Sequence, residues 1–332
     1  MKGRWFKSVL LGCLALGLVA FSIISFETYR LFSKPMIASI NKPVTVVLGK
    51  NATASAFVHT LKAKRLIHSS RLFLLFIRLQ GLSHHLKAGI YQVMPGESAQ
   101  QLLNRVVAGE TLVKSFSIIE GTTLAQVTSN LKSSPFLKYD PSDWQSIRGN
   151  YASAEGLLLA DTYNYNAGSQ TKPLLQLANQ NLIQYLDSCW QKRSPGLPYR
   201  SPYELLIAAS ILEKETAIPT EKKIIAGVVV NRLKKNMPLQ MDPTVIYGMG
   251  ENYRGKLSHD DLSIDSPYNT YRYRGLPPTP IAMVGKEAIE AAAQPLVSNY
   301  LYFVAKGDGS HHFSATYEEQ KAAISRYQKG PS

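Results

Sequence analysis

The apolar pattern first predicts a helix with no polar face. From Ser8 to Phe26 the chain reads SVLLGCLALGLVAFSIISF, 19 residues without a charge, close to the roughly 20 that a helix needs to cross a bilayer. Beyond Pro43 the pattern shortens. Val44 to Leu48, Gly89 to Met94 and Ser115 to Ile119 read as strands set between amphipathic helical stretches. The junctions repeat: Gly96-Glu97-Ser98 is followed by Leu102 and Val106, and Gly121-Thr122-Thr123 by Val127 and Leu131, with a looser copy opening at Gly49. Each copy predicts a strand, a glycine turn, a Ser or Thr N-cap and a helix whose apolar residues fall four apart.

Further along, Thr171 to Leu186 has amphipathic helical spacing. Tyr203 to Glu215 and Glu221 to Lys235 read as stronger helices, the second with Thr220 as N-cap, and Tyr300 to Ala305 as a buried strand. Turn formers crowd residues 135–150 and mark a boundary, whereas from Met237 the chain becomes rich in Pro, Gly, Asn and Tyr, the composition of a site built from loops. The expected fold is α+β. It divides into a cytoplasmic N-terminus and transmembrane anchor (1–27), a small α/β subdomain (40–134) and a mixed α+β domain (135–332).

Composition narrows the partners. The 332 residues include 37 Lys and Arg against 23 Asp and Glu, a formal charge of +14, which favours anionic partners. The basic residues are dispersed and form no nucleic-acid tail. Lys2, Arg4 and Lys7 precede the apolar run and place the N-terminus in the cytoplasm by the positive-inside rule, so that everything from about Glu27 lies across the membrane. Nucleic acid is therefore not an expected partner. A cleaved signal peptide has a shorter core, of about 7 to 15 residues, and a small-residue cleavage site that is not found here. Leu11-Gly12-Cys13 resembles a lipoprotein processing site, but the apolar run continues well past the cysteine. With only Cys13 and Cys189, far apart, neither a disulfide framework nor a thiolate metal cluster is expected.

The segment from Leu205 to Leu212 is apolar on every side, as in a buried helix, before it meets Glu213 and Glu215. Two residues apart on a helix, these carboxylates point about 200° apart, which predicts one inward and one outward. Glu213 follows the face of Leu206 and Ala209. At the end of a buried helix, desolvation and the negative end of the helix dipole both raise a carboxyl pKa towards what a general acid needs, which makes Glu213 the candidate acid. The plainer alternative is that Glu213 pairs with a lysine such as Lys214 or Lys222.

These residues also carry a resemblance. Ala209-Ser-Ile-Leu-Glu-Lys-Glu-Thr216, Ile225-Ala-Gly-Val228, Asn231-Arg-Leu233, Met237 to Tyr247, Tyr268-Asn-Thr-Tyr271, Gly275-Leu-Pro-Pro278, Tyr302-Phe-Val-Ala305 and Gly309-Ser-His311 together resemble the endolytic murein transglycosylase (YceG-like) family. Glu155-Gly156 with Asp161-Thr-Tyr163 resembles its upstream signature, and the glycine-centred repeats its LysM-like subdomain. The chain departs from the family pattern at Ala160, Met241 and Met283-Val284.

The resemblance implies a single-pass protein of the bacterial inner membrane with a LysM-like glycan-binding subdomain (40–134) and a periplasmic lytic transglycosylase domain (135–332). It implies cleavage of the MurNAc–GlcNAc β-1,4 bond inside peptidoglycan strands to leave 1,6-anhydro-MurNAc ends, terminating or trimming nascent strands. No cofactor is implied, and penicillin-binding proteins or other wall-synthesis proteins are candidate companions. It also points to the first glutamate of E-K-E-T, Glu213, as the acid and base, in agreement with the burial argument. One carboxylate suffices because the sugar's own C6 hydroxyl replaces the second carboxylate of ordinary glycosidases.

Gln240, Asp242, Asn269, Tyr271 and Glu155 are the expected substrate-binding residues, although Asp242 equally suits a turn cap and Glu155 an orienting role. Tyr268, Tyr271 and Tyr273 read either as a sugar-stacking wall or as packing. His311-His312 lacks the companions of a metal site. The competing functions are a muramidase that uses water and a non-catalytic wall-binding scaffold. Ser129-Asn-Leu-Lys132 fits S-x-x-K, but K-T-G is absent and the serine falls inside a repeat helix, so a penicillin-binding serine enzyme is set aside.

Overall fold

The computed structural model describes residues 2–38 and 42–328; Met1, Ile40 and Asn41 and residues 329–332, which fall within the expected domain bounds, lie outside them. The chain opens with α1 (Lys2–Phe32). Within it Leu10–Phe32 is long and apolar enough to cross a membrane, and none of its apolar window is buried in the protein.

Two compact units follow from the contacts: residues 1–114 with 165–169, and residues 115–164 with 170–332. In the first unit, β1 (Val44–Leu48), α2 (Ala54–Ala63), α3 (Ser70–Leu79), β2 (Gly89–Val93) and α4 (Ala99–Ala108) succeed one another. β1 and β2 pair antiparallel, with Val46 opposite Tyr91. Their inward side chains join Phe57, Leu61, Phe73, Ile77, Leu102 and Leu103 in a closed core.

The chain passes between the units within β3 (Val113–Ser117) and β4 (Thr162–Asn166), which pair with each other. All three predicted junctions are capped as the sequence requires. Thr53, Ser98 and Thr123 accept hydrogen bonds from the backbone of Ala56, Gln101 and Gln126, the last two in full capping boxes. Gly96 and Gly121 take φ of +87° and +74°, a region open to glycine at little cost. The third of these junctions opens α5 (Leu124–Ser133), which belongs to the second unit, so the division by contacts falls ahead of residue 134. Residues 135–150, expected to be irregular, contain α6 (Asp143–Arg148), with Asp143 buried against Thr171 Oγ1 at 2.5 Å.

In the second unit, α7 (Lys172–Gln191), α9 (Pro219–Lys234), α10 (Asp242–Met249) and α11 (Lys286–Ala293) pack around one buried helix, α8 (Pro202–Glu215). Ser201 caps α8, Pro202 starts it, and Leu205 through Leu212 are all buried. Thr216 returns to extended backbone and ends the helix. α9 starts earlier than expected, and Thr220 does not cap it. Ile218 is the cap position, its N–H is taken by Thr216 Oγ1, and Pro219 supplies the first turn. Gly227 on α9 is required because a Cβ there would stand 2.4 Å from the Leu296 carbonyl oxygen. The chain closes with the antiparallel pair β5 (Tyr302–Ala305) and β6 (His311–Ser314), on which α12 (Tyr317–Gln328) packs.

Candidate active site

The two carboxylates at the end of α8 part company, as the helix geometry predicts, but both turn inward. Glu213 enters a closed ion pair. Its Oε1 accepts from Lys222 Nζ at 2.6 Å and its Oε2 from the Gly285 amide at 2.8 Å, and the Glu213 and Lys222 side chains are 4% and 3% exposed. Lys214, the other lysine in reach by sequence, donates instead to the Gly121 carbonyl. With both oxygens engaged, Glu213 ties α8 to the first turn of α9 and to the residue that precedes α11. This corrects its expected place: it does not line the cleft described next.

Glu215 does. The cleft, about 370 Å³, is bounded by the end of α8, the chain from Leu239 to Asp242, Tyr271, the β5–β6 pair and α12. Glu215 Oε2 is buried there with no hydrogen-bond partner. Burial, helped by the nearby charge of Asp242, pushes its carboxyl up to about 8, so the group holds its proton at neutral pH. Helix spacing separates Glu213 from Glu215 correctly, but the second carboxylate, expected outside, is the one aimed at open space.

Three of the five expected binding residues meet at this cleft: Gln240, Asp242 and Tyr271. Asp242 Oδ1 accepts from the Tyr271 hydroxyl. Gln240 adopts φ +54° and its Oε1 accepts from Arg232 Nη1 at 2.9 Å. The chain here is clamped from below, since Thr270 Oγ1 receives the Met241 amide at 3.0 Å and shares a hydrogen bond with Thr244 Oγ1 at 2.9 Å.

The other two lie elsewhere. Asn269 is fully buried; its Nδ2 donates to the Leu262 and Ile264 carbonyls and its Oδ1 accepts the Tyr271 amide, so it shapes the loop and has no surface for a sugar. Glu155 accepts the Leu124 amide at 2.8 Å and the Tyr247 hydroxyl at 3.0 Å, holding the start of α5. Burial pushes its carboxyl up, against the pull of those hydrogen bonds. The three tyrosines form no common wall: Tyr268 bonds Thr279, Tyr273 bonds Asp265, and only Tyr271 faces the cleft.

Sequence reasoning missed Arg232, Tyr302, Phe303, His311 and Tyr317, which complete the walls. The Arg232 guanidinium lies 5.1 Å from the Tyr302 ring centre, and its Nε donates to the Leu301 carbonyl, fixing β5 to α9. His311 Nδ1 lies 2.7 Å from Glu221 Oε2. The signal available was their position in blocks that carry the family resemblance: Arg232 in Asn231-Arg-Leu233, Tyr302 and Phe303 in Tyr302-Phe-Val-Ala305, and His311 in Gly309-Ser-His311. Among the described residues no group of three or more His, Cys, Asp or Glu stands ready to hold a metal.

The sequence profile of the YceG-like family matches residues 46–326. An endolytic murein transglycosylase of Bacillus subtilis strain 168 is 28% identical over 329 residues, covering 90% of this chain and 89% of that protein. Another, from Streptococcus pneumoniae serotype 2 strain D39, is 28% identical over 337 residues, and the match spans 88% of this chain but 60% of the longer pneumococcal protein. A crystal structure of a YceG-like protein from Listeria monocytogenes aligns with a TM-score of 0.52 at 30% identity, covering 85% of this chain and 99% of that one.

Proposed function

This chain belongs to the YceG-like family, and from that premise we propose that it is a membrane-anchored lytic transglycosylase that cuts MurNAc–GlcNAc β-1,4 bonds within peptidoglycan strands, with Glu215 as its acid and base. The observation that carries the assignment is the buried, unpartnered Glu215 carboxyl, pushed up to about 8 in an open cleft. The relatives' names supply the substrate class.

The protonated Glu215 gives its proton to the glycosidic oxygen as the bond from MurNAc C1 to that oxygen breaks, and GlcNAc leaves with a free 4-hydroxyl. Positive charge gathers at C1 and the ring oxygen, where the neighbouring Asp242 carboxylate opposes it. The C6 hydroxyl oxygen of the same MurNAc then bonds to C1, and its proton returns to Glu215. No water is consumed, and the acid ends as it began. Tyr302, Phe303 and Tyr317 offer apolar faces for sugar rings.

The first unit is assigned the holding of glycan, as a LysM-like module. Its β–α–α–β succession and a cavity of about 800 Å³ lined by Lys50, Asn51, Arg78 and His84 support that role. The N-terminus is assigned to the cytoplasm and the second unit to the wall side, on the strength of Lys2, Arg4 and Lys7.

Asp242 favours one rival reading. A second carboxylate in the cleft is what a water-using muramidase needs. Mass analysis of digested peptidoglycan separates the two: anhydro ends support the transglycosylase, reducing MurNAc ends carrying solvent ¹⁸O support the muramidase, and an absence of cleavage leaves a binding scaffold.

A further inference from the structure

The end of the membrane helix carries a site of its own. α1 is locked into the first unit by its last turn: Leu31 is buried in the core, and the Phe32 ring meets Phe76 of α3 edge-on at 4.4 Å. The Met36 amide then donates to the Glu97 carbonyl at 2.8 Å. The apolar stretch Leu10–Phe32 has 23 residues, about 34 Å at a rise of 1.5 Å each, against a hydrocarbon core of roughly 30 Å. From whichever leaflet the helix emerges, Arg30 and Lys34 therefore stand at the depth of the lipid headgroups.

At this depth the protein has a pocket of about 130 Å³ lined by Glu27, Arg30, Lys34, Arg65 and His68. The cations come from two separate segments, the end of α1 and the turn after α2. Arg30 Nη2 lies 2.7 and 2.8 Å from the His68 ring nitrogens. The Arg30 and Lys34 heads lie 5.7 and 6.0 Å from the Phe26 ring centre. Arg65 holds φ +58° at the end of α2, a conformation glycine takes with less strain, and its side chain is what glycine would not supply. Glu27 Oε2 is buried with no hydrogen-bond partner. α3, which follows the Arg65–His68 segment in the chain, exposes Leu75 and Leu79, one turn apart on one face, as a helix lying in a membrane surface does.

We propose that this pocket binds the headgroup of an anionic phospholipid, its phosphodiester held by Arg30, Lys34 and Arg65 and a headgroup hydroxyl donating to Glu27. Three basic side chains against one acidic one leave the pocket positive, and the Glu27 carboxyl selects a headgroup that carries a donor. The bound lipid would fix the first unit on the bilayer at the exit of its anchor. The inference rests on α1 as a membrane anchor and is independent of the chemistry assigned to Glu215.

The test uses the full chain in detergent, titrated with phosphatidylglycerol, phosphatidylcholine or glycerol 3-phosphate and read by native mass spectrometry. One phosphatidylglycerol is expected to be retained in preference to phosphatidylcholine, and glycerol 3-phosphate not to displace it. Lys34→Gln weakens retention roughly fivefold, the factor that about 1 kcal/mol per basic residue near an anionic surface implies. Arg65→Gly weakens it equally while the melting temperature stays level or rises, because glycine relieves the positive φ. Equal retention of the two lipids, undiminished retention in both variants, or displacement by glycerol 3-phosphate would each overturn the site. Incorporation into phosphatidylcholine nanodiscs is measured separately: failure to incorporate removes the anchor reading and the site with it, whereas incorporation without lipid preference removes the site alone.

Discussion

Replacing Glu215 with glutamine keeps the shape of the side chain and removes its titration, so activity and stability should move in opposite directions. Burial and the Asp242 charge push the carboxyl up to about 8 in the folded protein, against an ordinary value of 4.5. The folded state thus keeps a proton that the unfolded chain surrenders between those two values. Stability is complete below about pH 4.5, falls by roughly 1.4 kcal/mol per pH unit above it, and levels off beyond about pH 8. At pH 7 the accumulated loss is on the order of 3 kcal/mol. Glutamine does not share it. Melts of the two full-length proteins in detergent should therefore nearly coincide at pH 4.5 and separate by roughly 6–12 °C at pH 7, with the variant higher. Cleavage of peptidoglycan should meanwhile drop by about 10² to 10⁴-fold. Glu213→Gln should do the reverse, since it leaves Lys222 charged in a site 3% exposed and costs about 3–5 kcal/mol of stability. A folded, inactive Glu213→Gln protein beside a fully active Glu215→Gln protein would refute the reasoning.

The same carboxyl sets a pH profile: because the acid must carry its proton, kcat/KM should fall above about pH 8, and Asp242→Asn, which removes the charge that helps raise Glu215, should move that limb to lower pH. A limb that stays in place in Asp242→Asn would show that the two groups do not interact. Asn269→Ala leaves the Leu262 and Ile264 carbonyls without their donor and should cost about 1–3 kcal/mol of stability while muropeptide analysis shows the same bond cut. Arg78→Ala, in the cavity of the first unit, should reduce retention on insoluble peptidoglycan without altering the product ends; unchanged retention would count against glycan holding there. Protease added to spheroplasts should digest the bulk of the chain, and full protection of residues beyond Phe32 would reverse the assigned topology.

Where the fold was legible, a local rule governed it. The strand at Val44–Leu48 was placed to the residue, and the capped helices after Gly96 and Gly121 follow from a cap and a 3.6-residue period that no distant contact overrides. The elements that escaped depend on partners remote in sequence. β4 reads as TYNYN, an alternation too short and too polar to stand out, and it exists because β3 lies beside it. α6 sits among turn formers and is held by a Thr171 hydroxyl 28 residues away. The start of α9 lies at Ile218 because Thr216 Oγ1 takes the Ile218 amide and Pro219 opens the first turn, which leaves Thr220 inside the helix.

The proposed acid was half legible for a related reason. Helix spacing assigns directions relative to the helix axis, and it separated Glu213 from Glu215 correctly. It does not say what stands in each direction. Inward for Glu213 means Lys222, nine residues on and past a turn, together with the amide of Gly285, 72 residues away. A carboxylate whose two oxygens meet an ammonium and an N–H has a structural partner on each oxygen. Inward for Glu215 means the wall made by Asp242, Tyr271 and the β5–β6 pair, whose approach to the end of α8 is a tertiary fact. Burial alone therefore does not single out the proposed acid, because both carboxylates are buried; what distinguishes Glu215 is burial without a donor, beside open volume. That criterion needs coordinates for both the missing partner and the space, which is why the plainer reading of Glu213, pairing with Lys222, was available from the sequence while its consequence for Glu215 was not.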